Sequence, residues 1–150
     1  MVQMPALNTP QFDWARSRLS QKLQPVPPIY QPEIAAAAIY WAAHHRRREI
    51  FVGAPSVKAI WANRFFPGLL DHYLAKTAVS AQQTGEPSEP NRPDNLWKPI
   101  PGDHGAHGRF DARACEESPQ LWATEHRKWI FAAAAAGIAI GWFLVKRNRS

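Results

Sequence analysis

Apolar and polar residues follow three different patterns along this chain. Residues 1–77 combine short apolar runs, turn residues and helical spacing, a mixture typical of an α/β segment. Residues 78–128 are polar and rich in proline and glycine, which predicts an extension that is irregular to about residue 118 and helical over 119–128. Residues 129–145 contain no charged residue and predict one apolar helix.

The first 77 residues divide into elements that their turn residues separate. The helix after residue 30 has a proline in its first turn, an acid beside the positive end of its dipole and a run of alanines. The short strand that follows needs partner strands, which the pattern does not supply, so we expect an exposed strand edge and self-association. The predicted elements are a strand at 1–4, a flap at 10–30, a helix at 31–43, a strand at 49–52 and helices within 56–76.

The uncharged segment has seventeen residues. A helix rises about 1.5 Å per residue, so this segment reaches across most of a hydrocarbon core of roughly 30 Å. Trp129 and Trp142 are placed to lie at the headgroup level. The segment therefore predicts a single-pass C-terminal membrane anchor that contacts lipid, with the soluble part of the chain in the cytoplasm. The run Ala132–Ala136 leaves a second interpretation open, a buried helix of a soluble domain.

The formal net charge of +6 raises the question of nucleic-acid binding. Five of the eighteen basic residues follow His126 with no acid among them, so the rest of the chain balances thirteen bases against twelve acids. The excess charge thus belongs to the flanks of the apolar segment, Arg127–Lys128 and residues 146–149, where it attracts anionic headgroups. We predict no nucleic-acid partner. Because both flanks are basic, they do not set the membrane orientation.

A few residues carry chemistry that could form a site. His104 and His107, with nearby aspartates and His126, are possible metal ligands, but the surrounding glycines leave the histidines unpositioned, so we predict a surface role and no metal. The run His44–Arg48 could bind phosphate or lipid headgroups, although the favoured interpretation is a solvated turn after a helix. Cys115 is the single cysteine, which excludes an intramolecular disulfide. It has no base near it in sequence, so we do not predict a nucleophile.

The order of strand, PALNTP loop, flap, helix YQPEIAAAAIYWAA and strand EIFVG resembles the C-terminal third of a short-chain dehydrogenase/reductase with a long C-terminal extension. The resemblance implies a Rossmann-type α/β fold, of which this chain supplies a C-terminal segment with few strands. It also implies an NAD or NADP cofactor, with Pro5, Ala6 and Thr9 in the loop that touches the nicotinamide carboxamide. Ala6 stands where the family usually has glycine, and Thr9 is one residue closer than usual.

The motifs that such an enzyme needs for catalysis do not occur in the chain. There is no glycine-rich cofactor turn, and the residues four positions after Tyr30, Tyr40 and Tyr73 are not lysines, so the Tyr-x-x-x-Lys pair is missing. We therefore expect a truncated oxidoreductase segment that has no catalytic residues and does not bind the cofactor alone. Its partner would be a complementing N-terminal fragment or a second copy. The alternative is a small tail-anchored interaction protein without catalytic activity.

Overall fold

The computed structural model describes residues 1–147, except for the side chain of Phe143. Asn148 and Arg149 of the predicted basic flank lie outside the described residues. The described chain forms the strands β1 (Val2–Gln3), β2 (Ala6–Leu7), β3 (Gln21–Leu23), β4 (Ile29–Tyr30), β5 (Ile50–Phe51), β6 (Gln83–Pro87) and β7 (Ala114–Cys115). Its α-helices are α1 (Pro32–His44), α2 (Ala54–Phe65), α3 (Pro67–Ala81), α4 (Pro119–Glu125) and α5 (Arg127–Arg147). Two short 3-10 helices span Pro10–Asp13 and Asp111–Arg113.

The strands form three small sheets within the described residues. β1 pairs with β5, and β4 lies between β2 and β7, all in parallel. β3 pairs with β6 in antiparallel fashion. Parallel neighbours need a long crossover, and α1 is the helix in the crossover between β1 and β5. The structure is thus a mixed α/β fold with few strands.

The expectation that the strand near residue 50 lacks a partner in this chain is wrong. The Ile50 amide donates to the Met1 carbonyl at 3.0 Å, and the Val52 amide donates to the Gln3 carbonyl at 2.9 Å. The two segments are almost fifty residues apart, and apolar patterning does not report such non-local pairing. Self-association of the chain stays a prediction.

α1 begins and ends within one residue of the predicted bounds. Pro32 lies in its first turn, where the missing amide costs no helical bond, and Glu33 lies beside the positive end of the helix dipole. Ala35 and Ala38 on this helix are buried. The Ala38 side chain belongs to the core cluster, so α1 packs close to the strands that flank it.

The core cluster consists of Ala38, Ile50, Val52 and Leu121, with partly buried apolar residues around it. Leu121 lies on α4, which begins at Pro119 as the sequence predicts for the helix before the anchor. Ser118 caps α4 by accepting a hydrogen bond from the Leu121 amide at 3.2 Å, which fixes the start of this helix. The C-terminal part of the extension is therefore part of the folded unit.

Two further elements depart from the prediction for the flap and the extension. α3 continues to Ala81, and β6 follows it and pairs with β3 inside the predicted flap. The sequence of β6, QTGEP, shows no apolar alternation, so only its pairing makes it a strand. The division of the chain into segments at 77 and 128 stays a prediction.

α5 contains 21 residues, an 18-residue window of which has a mean hydropathy of 1.7, and it is long and apolar enough to cross a membrane. Its side chains have no cover from the rest of the described chain; Trp129 is 77% exposed and Ile138 is 73% exposed. A helix of a soluble core would instead bury one face. α5 is a candidate transmembrane helix.

Replacing Leu121 with alanine tests whether α4 belongs to the core. Leu121 is 5% exposed and Leu69 on α3 is 72% exposed. Leu121→Ala leaves a cavity and is expected to lower the free energy of unfolding by about 2–5 kcal/mol. The matched control Leu69→Ala should stay within about 0.5 kcal/mol. Urea unfolding of the full chain in detergent, followed by circular dichroism, measures both, and equal losses would contradict the packing of α4.

Candidate functional site

A groove of about 500 Å³ lies beside the PALNTP loop. It brings together the three residues predicted to contact a cofactor, and it is open to solvent on one side. The flap supplies the opposite wall, and the end of α3 closes one side. The lining residues are Pro5, Ala6, Leu7, Thr9, Gln11, Phe12, Gln24, Pro25, Val26 and Gln82.

The groove walls differ in what their polar groups do. Gln24 is engaged, since its amide nitrogen donates to the carbonyls of Ala81 at 3.2 Å and Gln83 at 2.8 Å. Thr9 precedes a short 3-10 helix, but its side chain makes no capping hydrogen bond with that helix. The Thr9 hydroxyl is therefore a polar group of the groove that helix capping does not use.

Asn8, between two groove residues, is fully buried and holds the loop in place. Its amide donates to the Tyr30 carbonyl at 2.8 Å, and its carbonyl accepts a hydrogen bond from the Gly108 amide at 3.2 Å. Its side-chain oxygen accepts from the Phe110 amide at 3.1 Å. Its side-chain nitrogen donates to Gln31 Oε1 at 3.0 Å and Asp111 Oδ1 at 2.7 Å. Both side-chain atoms of this buried amide are thus satisfied, as burial requires.

Gly108 makes the close approach of the extension to the loop possible. A Cβ atom at this position would lie 2.6 Å from the Thr9 carbonyl oxygen and 2.8 Å from Asn8 Oδ1. Real Cβ atoms do not come so close to backbone oxygen, so any other residue would push the extension away from the loop. The extension therefore packs directly behind the groove.

His107 joins two carboxylates at the edge of this network. Its Nε2 lies 2.7 Å from Glu33 Oε1, and its Nδ1 lies 3.0 Å from Asp111 Oδ1. Ionised carboxylates only accept hydrogen bonds, so both contacts are made fully when the ring is protonated on both nitrogens. Hydrogen bonds to Asp111 and Glu33 raise the pKa of His107, and the bond to His107 lowers the pKa of each carboxylate. The sequence-based view that glycines leave His107 unpositioned is wrong.

Two arginines of the extension fasten the flap. The Arg92 guanidinium donates to the carbonyls of Phe12, Asp13 and Ala15. Arg109 forms an ion pair with Asp13 and donates to the Leu23 carbonyl at 2.7 Å. These contacts join segments separated by about eighty to a hundred positions, so the flap is held from outside rather than by its own residues.

The remaining residues with possible chemistry are not brought together. His104 packs on Trp14 with ring centroids 4.3 Å apart, and His126 stacks on Trp122 one turn earlier on α4. Within residues 1–147 no group of three His, Cys, Asp or Glu side chains is arranged to hold a metal ion. Cys115 is exposed and has a free thiol.

Tyr30 is not placed to act as the catalytic tyrosine that the resemblance implies. It is only 7% exposed, and its ring packs 3.1 Å from the position that a Cβ atom would take on Gly53. Burial, and next the neighbouring Cys115, raise the pKa of its hydroxyl. A proton donor for hydride chemistry needs a pKa near the working pH and access to substrate, and Tyr30 has neither property.

Sequence reasoning missed Asn8, Gln31 and Gly108 as the residues that build the site. Each has an ordinary turn or helix-start signature, and their partners lie up to a hundred positions away. The signal that could have found Gly108 is the pair of glycines around Ala106–His107 in an otherwise polar stretch, since a conformationally free residue permits close backbone approach.

No protein-family model matches the chain, and no solved structure matches it significantly. The chain is similar to the uncharacterized oxidoreductase YxnA of Bacillus subtilis (strain 168), with 27% identity over 121 residues. The similarity covers 81% of this chain and 33% of YxnA, so the chain spans about a third of that relative's length. Fold and similarity together support an oxidoreductase-like α/β segment.

His107 is expected to make stability depend on pH. Its folded-state pKa lies above the ordinary 6.5, so its contribution is complete below that value and is lost as pH rises through the raised pKa. The folded-state pKa values of Glu33 and Asp111 lie below the ordinary 4.5 and 3.8, so their contribution is lost as pH falls through the lowered values. The contacts of His107 with Glu33 and Asp111 are therefore complete between these two limits.

The urea midpoint of the full chain, measured from about pH 5 to pH 8, checks this linkage. We expect the midpoint of the wild-type chain to fall with rising pH and the fall to be smaller in His107→Gln. His72→Gln on α3 is the matched control, because His72 lies outside the network, and it should follow the wild-type chain. Parallel curves for all three proteins would show that the histidine does not stabilise the fold.

Proposed function

We propose that this chain is the C-terminal segment of a short-chain dehydrogenase/reductase-type oxidoreductase and forms one wall of its NAD(P) site. The observation that carries the proposal is the similarity over 121 residues to an oxidoreductase of which this chain spans a third. The arrangement of β1, the PALNTP loop, α1 and β5, with both strands parallel, agrees with the order that the resemblance implies. Both membership of the short-chain dehydrogenase/reductase family and binding of NAD(P) are proposed.

The groove residues fit a nicotinamide ring with its carboxamide. Pro5, Ala6 and Val26 offer apolar surface to a flat ring, and the Thr9 side chain can donate to or accept from a carboxamide. The volume of about 500 Å³ suits one half of a dinucleotide, and the open side leaves room for a second wall. When bound, the cofactor would supply the hydride chemistry.

This chain's own residues would position the ring rather than react with it. Asn8 and Gly108 fix the loop backbone, so the Thr9 hydroxyl is held at a defined place in the groove. Arg92 and Arg109 hold the flap against the extension, so the groove keeps its second wall. Preorganisation of this kind lowers the entropic cost of binding. The glycine-rich turn and the Tyr-x-x-x-Lys pair would come from a separate catalytic segment.

α5 would anchor this part of the enzyme in a membrane. Its length, the mean hydropathy of 1.7 over an 18-residue window and its exposed side chains support a single span, with the rest of the described chain on one side. The α/β segment would then lie in the cytoplasm next to the lipid surface. A membrane position would suit a substrate that dissolves in lipid.

A second candidate function is a membrane-anchored interaction protein without catalytic activity. It is favoured by large apolar side chains that stay exposed on α2, α3 and the turn between them. Phe65, Phe66 and Tyr73 are each more than 60% exposed. A surface of this kind is typical of a protein–protein contact. This function predicts that the chain binds no nicotinamide nucleotide under any condition.

Calorimetry with NADH and NADPH tests the proposed cofactor site. The protein is the full chain in detergent, with and without a co-expressed segment that carries the glycine-rich turn and Tyr-x-x-x-Lys. We expect binding only with that segment, and Thr9→Val should weaken it about two- to tenfold by removing one hydrogen bond.

Thr77→Val on α3 is the matched control for Thr9→Val, because its hydroxyl bonds only to the helix carbonyl of Tyr73. It should leave nucleotide affinity unchanged. No binding in either arrangement would refute the enzyme proposal and favour the interaction protein. Binding that is unaffected by Thr9→Val would place the cofactor outside the groove.

Alkaline carbonate extraction of cell membranes tests the anchor. The wild-type chain should stay in the membrane pellet. Ile138→Lys with Ile140→Lys places two charges at the centre of α5, each costing about 2.5–3.5 kcal/mol in the span, and should move the chain to the supernatant. Leu69→Lys with Val79→Lys changes two similarly exposed residues on α3 and should not. Release of the wild-type chain would contradict a membrane span.

A further inference from the structure

The loop after α1 meets the start of α5 and forms a basic cavity of about 370 Å³ with it. Arg46 and Arg47 enter from the loop, and Arg127 and Lys128 enter from the first turn of α5. Glu125 is the acidic residue among the lining side chains. Two segments eighty positions apart in sequence thus place four positive charges and one negative charge around one space.

The four cations of the cavity form no ion pair within the described chain, and Glu125 offsets only one of their charges. The ion pairs of residues 1–147 involve Arg16, Lys22, His107 and Arg109, and none involves the four cations of the cavity. Arg47 is half-buried, and burial followed by repulsion from Arg127 lowers the pKa of its guanidinium. Gathering like charges is unfavourable, so an anion in the cavity would stabilise the arrangement.

The aromatic side chains of the cavity are suited to a membrane surface. Trp129 is 77% exposed and follows directly on the two cations at the start of the candidate transmembrane helix. Trp41 stacks on His45 with ring centroids 3.9 Å apart and an interplanar angle of 7°, and His45 Nδ1 lies 2.8 Å from the Trp41 carbonyl. Tryptophan and basic residues concentrate where lipid headgroups meet the hydrocarbon. The cavity lies at that level when α5 spans the bilayer.

We propose that this cavity binds the phosphate group of an anionic membrane lipid. The four cations surround the phosphate, with guanidinium groups able to donate paired hydrogen bonds to its oxygens. The volume of about 370 Å³ holds the phosphate with part of the glycerol, while the acyl chains extend along the apolar side of α5. Because the site joins the loop after α1 to the anchor, a bound lipid fixes the α/β segment against the membrane.

A titration with short-chain lipid tests this site without relying on membrane insertion. The full chain in a zwitterionic detergent is titrated by calorimetry with dihexanoyl phosphatidic acid, dihexanoyl phosphatidylcholine and inorganic phosphate. We expect saturable binding of the phosphatidic acid and much weaker binding of the other two. Each basic residue near an anionic lipid raises the affinity roughly fivefold, so Arg46→Gln with Arg47→Gln should weaken binding about 25-fold.

Two further variants keep the test specific. Arg48→Gln with Arg64→Gln removes the same charge outside the cavity and should bind as the wild-type chain does. Arg46→Lys with Arg47→Lys keeps the charge and should restore most of the affinity, which shows that a loss in the glutamine variant is not a loss of fold. Equal weakening in both glutamine variants would overturn the site in favour of general attraction. Inorganic phosphate binding as tightly as the lipid would overturn the lipid assignment.

Discussion

The buried side chain of Asn8 is the contact on which the arrangement of this chain depends. A primary amide taken out of water costs several kcal/mol, roughly 2–7 depending on the reference, unless its donors and acceptor are satisfied. Here Asn8 has partners on β4, at the start of α1 and on the extension at Gly108, Phe110 and Asp111. Moving any of these segments would leave a buried polar atom unpaired. One residue therefore makes the positions of four segments interdependent.

The hydrogen bonds of Asn8 matter for stability because the apolar core is small. The core cluster has four buried residues, and each sheet of the described chain has two or three short strands. Isolated sheets of this size are marginal in water. Long-range side-chain contacts compensate, with Arg92 and Arg109 fastening the flap and Lys22 paired to Glu86 across β3 and β6. The groove is thus built by hydrogen bonds more than by packing.

Local signals predicted local structure well. Pro32, Glu33 and the alanine run gave α1 within one residue, and the uncharged segment gave the long apolar helix. Contacts across the chain were not predictable in this way, because β1–β5 pairing and the bond from Gly108 to Asn8 each join positions fifty to a hundred apart. From the sequence, the glycines beside His107 indicated that this side chain has no fixed position. In the fold, the missing side chain of Gly108 is what lets the extension reach the loop.

The two candidate sites also differ in whether local sequence predicts them. Pro5, Ala6 and Thr9 are neighbours in sequence, so their shared groove follows from one loop. The basic cavity could not be predicted from the sequence, because the runs His44–Arg48 and Arg127–Lys128 are far apart along the chain and meet in the folded structure. Each half alone is a run of charge, and a run of charge is usually solvated. Placed together around one cavity with a single lining acid, Glu125, the two halves become a site.

α1 connects the two candidate sites and orders their charges. Glu33 and Asp111 lie at its amino end, where the helix dipole is positive, and Arg46 and Arg47 follow its carboxyl end, where the dipole is negative. Each end of the dipole amounts to about half a charge, which offsets only part of the repulsion among four cations. A lipid phosphate would add at least one full negative charge at the same end. The negative end of the helix dipole thus partly stabilises the four cations of the basic cavity in the free protein, and a bound anion would stabilise them further. The cavity lies about 20 Å along the 13 residues of α1 from the network that supports the groove.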